Sequence, residues 1–409
     1  MIVAVVGLGY VGLPLAMAYA DAGAKVIGID VDEDRVESLK RGESYVSDVD
    51  GTELDFHNER GDLYFTTSYE HIGKADAIFV CVPTPFDKQK HPDTSYIRSA
   101  GQSIGNHVRE NQVVILESTS WPGTTAEVFW DAMSEGMPSL WEMAPPIVAF
   151  SSERINPGSE IHITQIPKVV GLYGDRADRE KVLDILRFAG FTPHLVSSPE
   201  VAEMSKLLEN TFRAVNIALV NEVAMLCEKM NLDVWEVIEA AATKPYGFMP
   251  FYPGPGVGGH CIPIDPYYLH AKALEYNVHM RSIETAMAIN EGMPQYVADL
   301  VMREAAYRKL DTEKIVLLGS SYKPNTNDTR GAPSAEISLL LDAVICDDPD
   351  IGIMSHTDIA VVLVKSTDYN YQYLLDNVPL VVDCCNAMPG MSTTDNSIVR
   401  LGVGDKILW

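Results

Sequence analysis

The sequence predicts an α/β fold in three parts: a doubly wound N-terminal domain, a central all-helical domain built on one long helix, and a smaller C-terminal α/β domain. Three observations predict it. A short β-branched run, Ile2 to Val6, leads through Gly7-Leu8-Gly9-Tyr10-Val11-Gly12 into an alanine-rich helical segment, Leu13 to Ala22. Val201 to Met230 then continues for about eight helical turns without glycine or proline. From Lys314 the chain returns to short apolar runs that end in turns. Periodicity changes near residues 198 and 308, which divides the chain into 1–198, 199–308 and 309–409.

In the first part, a second strand, Lys25 to Ile29, ends at Asp30, 18 residues after Gly12. A bare G-x-G-x-x-G says little. With a strand before it, a helix after it and an acid at this distance it becomes a dinucleotide fingerprint of Rossmann type. Gly7, Gly9 and Gly12, with Tyr10 and Val11 carried between them, let backbone N–H groups approach a pyrophosphate at the positive end of a helix. Asp30 can accept hydrogen bonds from a ribose diol and would repel a 2′-phosphate, which favours NAD over NADP. Arg35 is close enough in sequence to soften that preference. Further strands, Ala77 to Val82 and Val113 to Leu116, run into Pro83-Thr84-Pro85 and Glu117 to Gly123. Loops at strand ends are candidate cofactor walls in such a sheet. Thr119 has a second reading, as the N-cap of a helix beginning near Thr124.

The long helix opens at Ser198-Pro199-Glu200, and more helix is expected over Asp233 to Ala242, Asp265 to Tyr276 and Arg281 to Ala306. Lys206 and Asn210 lie four apart and share a face. A solvated face with a Glu203–Lys206 ion pair is the plain alternative, and a mid-helix asparagine, usually present for its hydrogen bonds, weighs against it. Between these helices, the stretch Pro253 to Pro266 carries four glycines and four prolines, so it is a shaped loop and neither helix nor strand. Cys261 sits within it. By itself such a thiol reads as a small buried hydrophobe. Beside a cation and loop N–H groups it reads as a thiolate nucleophile. A dinucleotide site together with a nucleophilic cysteine points to oxidation past the aldehyde. The thiol adds to an aldehyde, the thiohemiacetal loses hydride to become a thioester, and water cleaves it. Simple alcohol oxidation has no use for the thiol.

The last part shows strands at Lys314 to Gly319, Ile359 to Val364 and Leu380 to Asp383. Across the chain, 46% apolar content over 409 residues is enough for two or three cores. A net charge of −26 argues against a broadly basic nucleic-acid surface and against adhesion to anionic membranes. The acidic excess suits a high-salt cytoplasm, and simple solubility accounts for it equally well. The N-terminus has no basic n-region or cleavage site, and no apolar run reaches transmembrane length. Six cysteines show neither C-x-x-C nor zinc-like spacing, so the expectation is a cytoplasmic protein with free thiols and no metal site.

The fingerprint Gly7 to Gly12, Val82-Pro83-Thr84-Pro85, Glu117-Ser118-Thr119 with Pro122-Gly123, the helix Ala202 to Glu222, the loop Pro253 to Asp265 and Gly319 to Lys323 together resemble the UDP-glucose/GDP-mannose dehydrogenase family. Thr243 to Tyr252, leading into the loop, looks most like the members that act on UDP-N-acetylglucosamine. The resemblance implies an NAD-dependent, four-electron oxidation of a UDP-sugar C6 hydroxyl to a carboxylate, in a homodimer built around the long helix. It implies that Cys261 is the nucleophile, that Lys206 and Asn210 stabilise the oxyanion, and that Asp265 helps hold water or Lys206. Thr119 and Glu153 would line the reacting centre, with Glu153 acting as or orienting the base. Tyr252, Gly258 and Lys323 would face the substrate, and Arg330 the cofactor phosphates. The chain departs from the family at Ser152, within Ser151 to Gly158, at Gly331-Ala332-Pro333, and in a short stretch from Pro333 to Ala360. These departures touch uridine recognition more than Cys261 or the cofactor half. Close alternatives are UDP-N-acetylmannosamine, UDP-N-acetylgalactosamine or UDP-glucose as substrate, a two-electron dehydrogenase of the same plan, and a dinucleotide-binding protein without catalysis.

Overall fold

The computed structural model describes residues 1–86, 92–137, 144–154, 161–324, 326–349, 351–391 and 398–404. These fall into two compact units, Met1–Glu209 with Tyr267–Asn277, and Asn210–Pro266 with Val278–Trp409. No described helix is long and apolar enough to cross a membrane.

The first unit is an α/β layer structure on a sheet of eight strands: β1 (Ile2–Val6), β2 (Lys25–Ile29), β3 (Leu63–Thr66), β4 (Ala77–Val80), β5 (Val113–Leu116), β6 (Ile147–Phe150), β7 (Lys168–Leu172) and β8 (Pro193–Val196). Their order is β3-β2-β1-β4-β5-β6-β7-β8, with every pairing parallel except β6 with β7. Strands of such a sheet are covered on both faces, which is why β4 and β5 are uninterrupted apolar runs. Alternate side chains serve opposite cores: Val3 and Val5 enter one, Ala4 and Val6 the other. The strand order reverses at β1, placing the glycine turn after β1 and the loop after β4 at the crevice where α/β sheets take ligands.

The second unit begins inside the long helix Pro199–Lys229 and adds helices Val234–Ala242 and Arg281–Arg308. The last of these passes through Pro294. It packs with a five-stranded parallel sheet of order β10-β9-β11-β12-β13, formed by β9 (Ile315–Leu318), β10 (Val344–Cys346), β11 (Ile359–Val362), β12 (Leu380–Asp383) and β13 (Ile398–Arg400). The α/β, helical and α/β succession expected from sequence is the one observed. Strands β3, β6, β7, β8, β10 and β13 went unread. They are three to five residues long, and several carry a charge or a proline that breaks the apolar signal. Of the departure at Ser151 to Gly158, residues 155–158 lie outside the described residues.

Candidate active site

The dinucleotide fingerprint forms a cradle with no room for side chains at two of its glycines. A Cβ on Gly12 would stand 1.8 Å from the Gly7 carbonyl oxygen, and one on Gly7, whose φ is +88°, would stand 2.5 Å from that of Cys81. Above Gly9 the space is open to 4 Å. Behind the turn, helix Gly12–Asp21 starts at Val11 with neither a capping side chain nor an acid in its first turn. Its N–H groups and the positive end of its dipole are therefore available to an anion. Tyr10 is half-buried beside them. Asp30 is buried at the end of β2, where it accepts from the Leu8 N–H at 2.8 Å and the Asp32 N–H at 3.1 Å. Each oxygen keeps acceptor capacity for a ribose hydroxyl. Arg35 stands 3.8 Å from Asp30 and lies over the ring of Tyr45, whose hydroxyl donates to the Leu8 carbonyl. The residues present fit a dinucleotide with a free ribose diol.

The loop after β4 is pinned from the far end of the same unit. Buried Tyr268 donates its hydroxyl to the carbonyls of Thr84 and Pro85, leaving Pro83 exposed and Thr84 half-buried. Thr119 is half-buried and is not the helix cap. That duty falls to Glu203, which accepts from Gly123 N–H at 2.6 Å, Thr125 N–H at 2.8 Å and the Thr125 hydroxyl at 2.6 Å. Burial outweighs these bonds and raises the Glu203 pKa to about 7. The Glu203–Lys206 pair considered from sequence is thus replaced: Glu203 caps a helix, and Lys206 donates to the Glu153 carbonyl at 2.7 Å.

A buried charge network underlies Lys206. Lys168, at the head of β7, bridges Glu117 at 2.7 Å and Glu153 at 2.9 Å, and its side chain is only 2% exposed. The other Glu153 oxygen accepts the Arg154 N–H at 2.7 Å. Burial works against the Lys168 ammonium, yet the two carboxylates prevail and raise its pKa. One cation cannot neutralise two carboxylates, and burial pushes Glu117 up to about 7 despite Lys168. The sequence reading placed Glu153 as a base or its orienter. With both oxygens engaged, Glu153 is placed to hold Lys206 through its carbonyl. Lys168 and the pairing role of Glu117 were missed, although a lysine heading the apolar run Val169 to Leu172 was a signal.

In the second unit, Cys261 is exposed and precedes the helix Asp265–Glu275, its carbonyl accepting from the N–H groups of Ile264 and Asp265 at 3.2 and 2.9 Å. The Cys261 carbonyl therefore accepts the first hydrogen bonds of the turn that leads into that helix. The reading of Cys261 as a buried hydrophobe does not hold. Asn210 donates to Asp265 at 2.5 Å, both side chains being buried. Gly258 and Gly259 lie against Tyr322: a Cβ on Gly258 would be 2.5 Å from the Tyr322 Cβ, and the Gly259 N–H donates to the Arg330 carbonyl. Burial, with Asp328 and Cys261 nearby, raises the Tyr322 pKa to about 12. The Arg330 side chain forks onto Asp328 at 2.6 and 2.7 Å and, despite burial, holds that carboxyl below its ordinary range. Burial, with Arg330 adding to it, lowers the pKa of His260. Lys323 lies over the ring of Tyr322, and Tyr252, an exposed residue, stacks on Trp235.

Family models for the UDP-glucose/GDP-mannose dehydrogenase family match residues 1–187, as its NAD binding domain, and 200–292, as its central domain. A UDP-N-acetyl-D-glucosamine 6-dehydrogenase of Pseudomonas aeruginosa is 38% identical over 82% of this chain and 78% of its own. A UDP-N-acetyl-D-mannosamine dehydrogenase of Yersinia pestis is 34% identical over 83% of this chain and 82% of its own. Among solved structures, a UDP-D-ManNAc dehydrogenase from Pyrococcus horikoshii superposes with a TM-score of 0.89 at 28% identity, spanning 99% of this chain and 100% of that one.

Proposed function

Because the chain belongs to the UDP-glucose/GDP-mannose dehydrogenase family and carries its NAD-binding domain, we propose that it oxidises the C6 hydroxyl of UDP-N-acetylglucosamine to the uronic acid in two NAD-dependent steps. The observation that carries this reading is Cys261, exposed in the turn that leads into a helix, within a loop shaped by glycines. When bound, NAD accepts the hydride released in each step. Cys261 adds its thiolate to the C6 aldehyde, forming a C–S bond and an alkoxide. Loss of hydride from that carbon gives the thioester, and water then displaces the thiol to leave the carboxylate. Asn210, held by Asp265, presents a donor to the oxyanion, and Lys206, held by the Glu153 carbonyl, supplies positive charge. Thr119 and Glu153 line the reacting centre, and Tyr252, Gly258 and Lys323 face the substrate. The NAD contacts are Gly7, Gly9, Tyr10, Val11, Gly12, Asp30, Arg35, Pro83, Thr84 and Thr119, with Arg330 facing the phosphates.

In this reading 1–198 binds NAD, 199–308 carries catalysis and dimerisation, and 309–409 binds the UDP-sugar. A homodimer is supported by exposed apolar side chains spaced along the long helix at Met204, Leu208, Phe212, Leu219 and Leu226. A second reading, UDP-N-acetylmannosamine as substrate, is favoured by the end-to-end likeness to the Pyrococcus horikoshii structure. Counting NADH formed per sugar decides the chemistry. The expected result is two per UDP-N-acetylglucosamine, with that sugar faster than its epimers; one per sugar excludes the thioester route, and a faster UDP-N-acetylmannosamine reaction selects the second reading.

A further inference from the structure

We propose that Asn221 and Asn290 are positioning residues that hold the nucleophile loop in its working shape, an inference that rests on Cys261 being the nucleophile. Both are buried in the middle of helices, Asn221 in Pro199–Lys229 and Asn290 in Arg281–Arg308. Asparagine is a poor residue for a helix interior and an expensive one to bury without partners. Here every link runs in one direction. The Gly254 N–H donates to Asn221 Oδ1 at 3.1 Å, Asn221 Nδ2 donates to Asn290 Oδ1 at 3.1 Å, and Asn290 Nδ2 donates to the Ala214 carbonyl at 3.0 Å. The Ala214 carbonyl can only accept, so it sets the orientation of Asn290, which sets that of Asn221, which presents an acceptor to the loop.

A second observation places the same helix face against the loop. Pro294 lies one turn beyond Asn290, on the same side of the helix, and has no N–H to give the Asn290 carbonyl. Its ring, with that of Pro333, bounds Gly256: a Cβ there would stand 3.4 Å from Pro294 and 3.1 Å from Pro333, and the φ of +137° already requires glycine. The loop is thereby seated at Gly254 by Asn221, at Gly256 by two prolines, and at Gly258 and Gly259 by Tyr322 and the Arg330 carbonyl. A Cβ on Gly254 would meet nothing within 4 Å, so close packing does not hold Gly254 itself, although Pro253 before it is buried and Phe251 packs on Phe212. The amide relay fixes the Gly254 N–H, and the mechanism otherwise gives these two asparagines no role.

The test compares the parent with Asn221→Leu/Asn290→Leu, which removes both polar partners together, and with Asn221→Asp, which keeps an acceptor for the Gly254 N–H. Three readouts are taken on the full chain: hydrogen exchange of the segment 253–261, the alkylation rate of Cys261 by iodoacetamide, and kcat and KM for NAD and the sugar. The double variant is expected to exchange at least tenfold faster in 253–261, to change Cys261 alkylation at least threefold, and to lose kcat at least tenfold with KM within threefold. Asn221→Asp is expected to fall between the parent and the double variant, because it keeps the acceptor for the Gly254 N–H and loses the donor to Asn290. Unchanged loop exchange and alkylation in a folded double variant, or a lower melting temperature alone, overturns the proposal. If the double variant does not fold, the Gly254 N–H of the parent decides, because exchange there as fast as in an unstructured peptide overturns the proposal. Should the parent turn over no nucleotide sugar, the proposed function falls, while exchange and alkylation still support or overturn the clamp.

Discussion

The two compact units hold their functional side chains by opposite means. The first works with buried charge: Lys168 between Glu117 and Glu153, Glu203 against a helix N-terminus, and Lys206 on a carbonyl. The second works mostly with neutral groups: two asparagine amides, four glycines and a tyrosine ring shape the loop that bears Cys261. Buried charges respond to protons, whereas amide relays and glycine contacts do not. Near pH 7 the sensitivity of the scaffold to protons should therefore reside mainly in the first unit, at Glu117 and Glu203, His260 and Asp328 of the second being shifted downward, and the steric sensitivity in the second.

Replacing the thiol gives the largest effect. Cys261→Ala should lower acid formation by about 10³-fold or more, as loss of a covalent nucleophile does, with melting nearly unchanged because the side chain is exposed. Acid measured by mass spectrometry checks it, and retention of two NADH per sugar would break the assignment of chemistry to that loop. Lys168→Met should cost about 3–5 kcal/mol, since two buried carboxylates lose the cation that bridges them. Urea unfolding measures the loss, and adding Glu117→Gln should recover part of it. A loss below 1 kcal/mol would mean the ion network contributes little.

The pH contrast is sharpened by Glu203→Gln. Burial raises Glu203 from 4.5 to about 7, so the folded chain keeps a proton that the unfolded chain releases. Stability from this group is complete below about 4.5 and is lost as pH rises through about 7, by at most about 3 kcal/mol. The glutamine variant should flatten that slope in denaturation curves taken between pH 5 and about 8. A parallel slope in parent and variant would reject it. Gly258→Ala should cost about 1–3 kcal/mol through overlap with Tyr322, with a pH-independent loss of kcat. The smallest effect belongs to Arg35→Ala. Removing the cation 3.8 Å from Asp30 should increase the preference for NAD over NADP by about threefold, measured as a ratio of kcat/KM at low salt.

Much of this was legible in the chain because the signals were local. A glycine turn between strand and helix, an acid at the end of the next strand and a loop of glycines and prolines are dictated by backbone sterics within a few residues. Asn210 was legible for a similar reason, as an asparagine in a helix interior. The same reasoning applies to Asn221 and Asn290, whose partners stand 33 to 76 residues away in sequence and could not be named from it. The Glu203–Lys206 reading failed for the converse reason. Helical spacing makes the pair possible, but a carboxylate is taken by whichever donors the fold brings nearest, and those were 78 to 80 residues away.

By itself, the sequence determined the α/β, helical, α/β succession, the dinucleotide cradle and the exceptional loop around Cys261, because each follows from propensity, periodicity or steric exclusion over short stretches. Only the tertiary structure decided that Lys168 is shared by two carboxylates, that Glu153 holds Lys206 by its carbonyl, that Tyr268 pins the loop after β4, and that an amide relay seats Gly254. Those are hydrogen bonds and ion pairs between distant segments. Their existence depends on which donors and acceptors burial brings within 3 Å or so of one another, a selection made by packing of the whole chain.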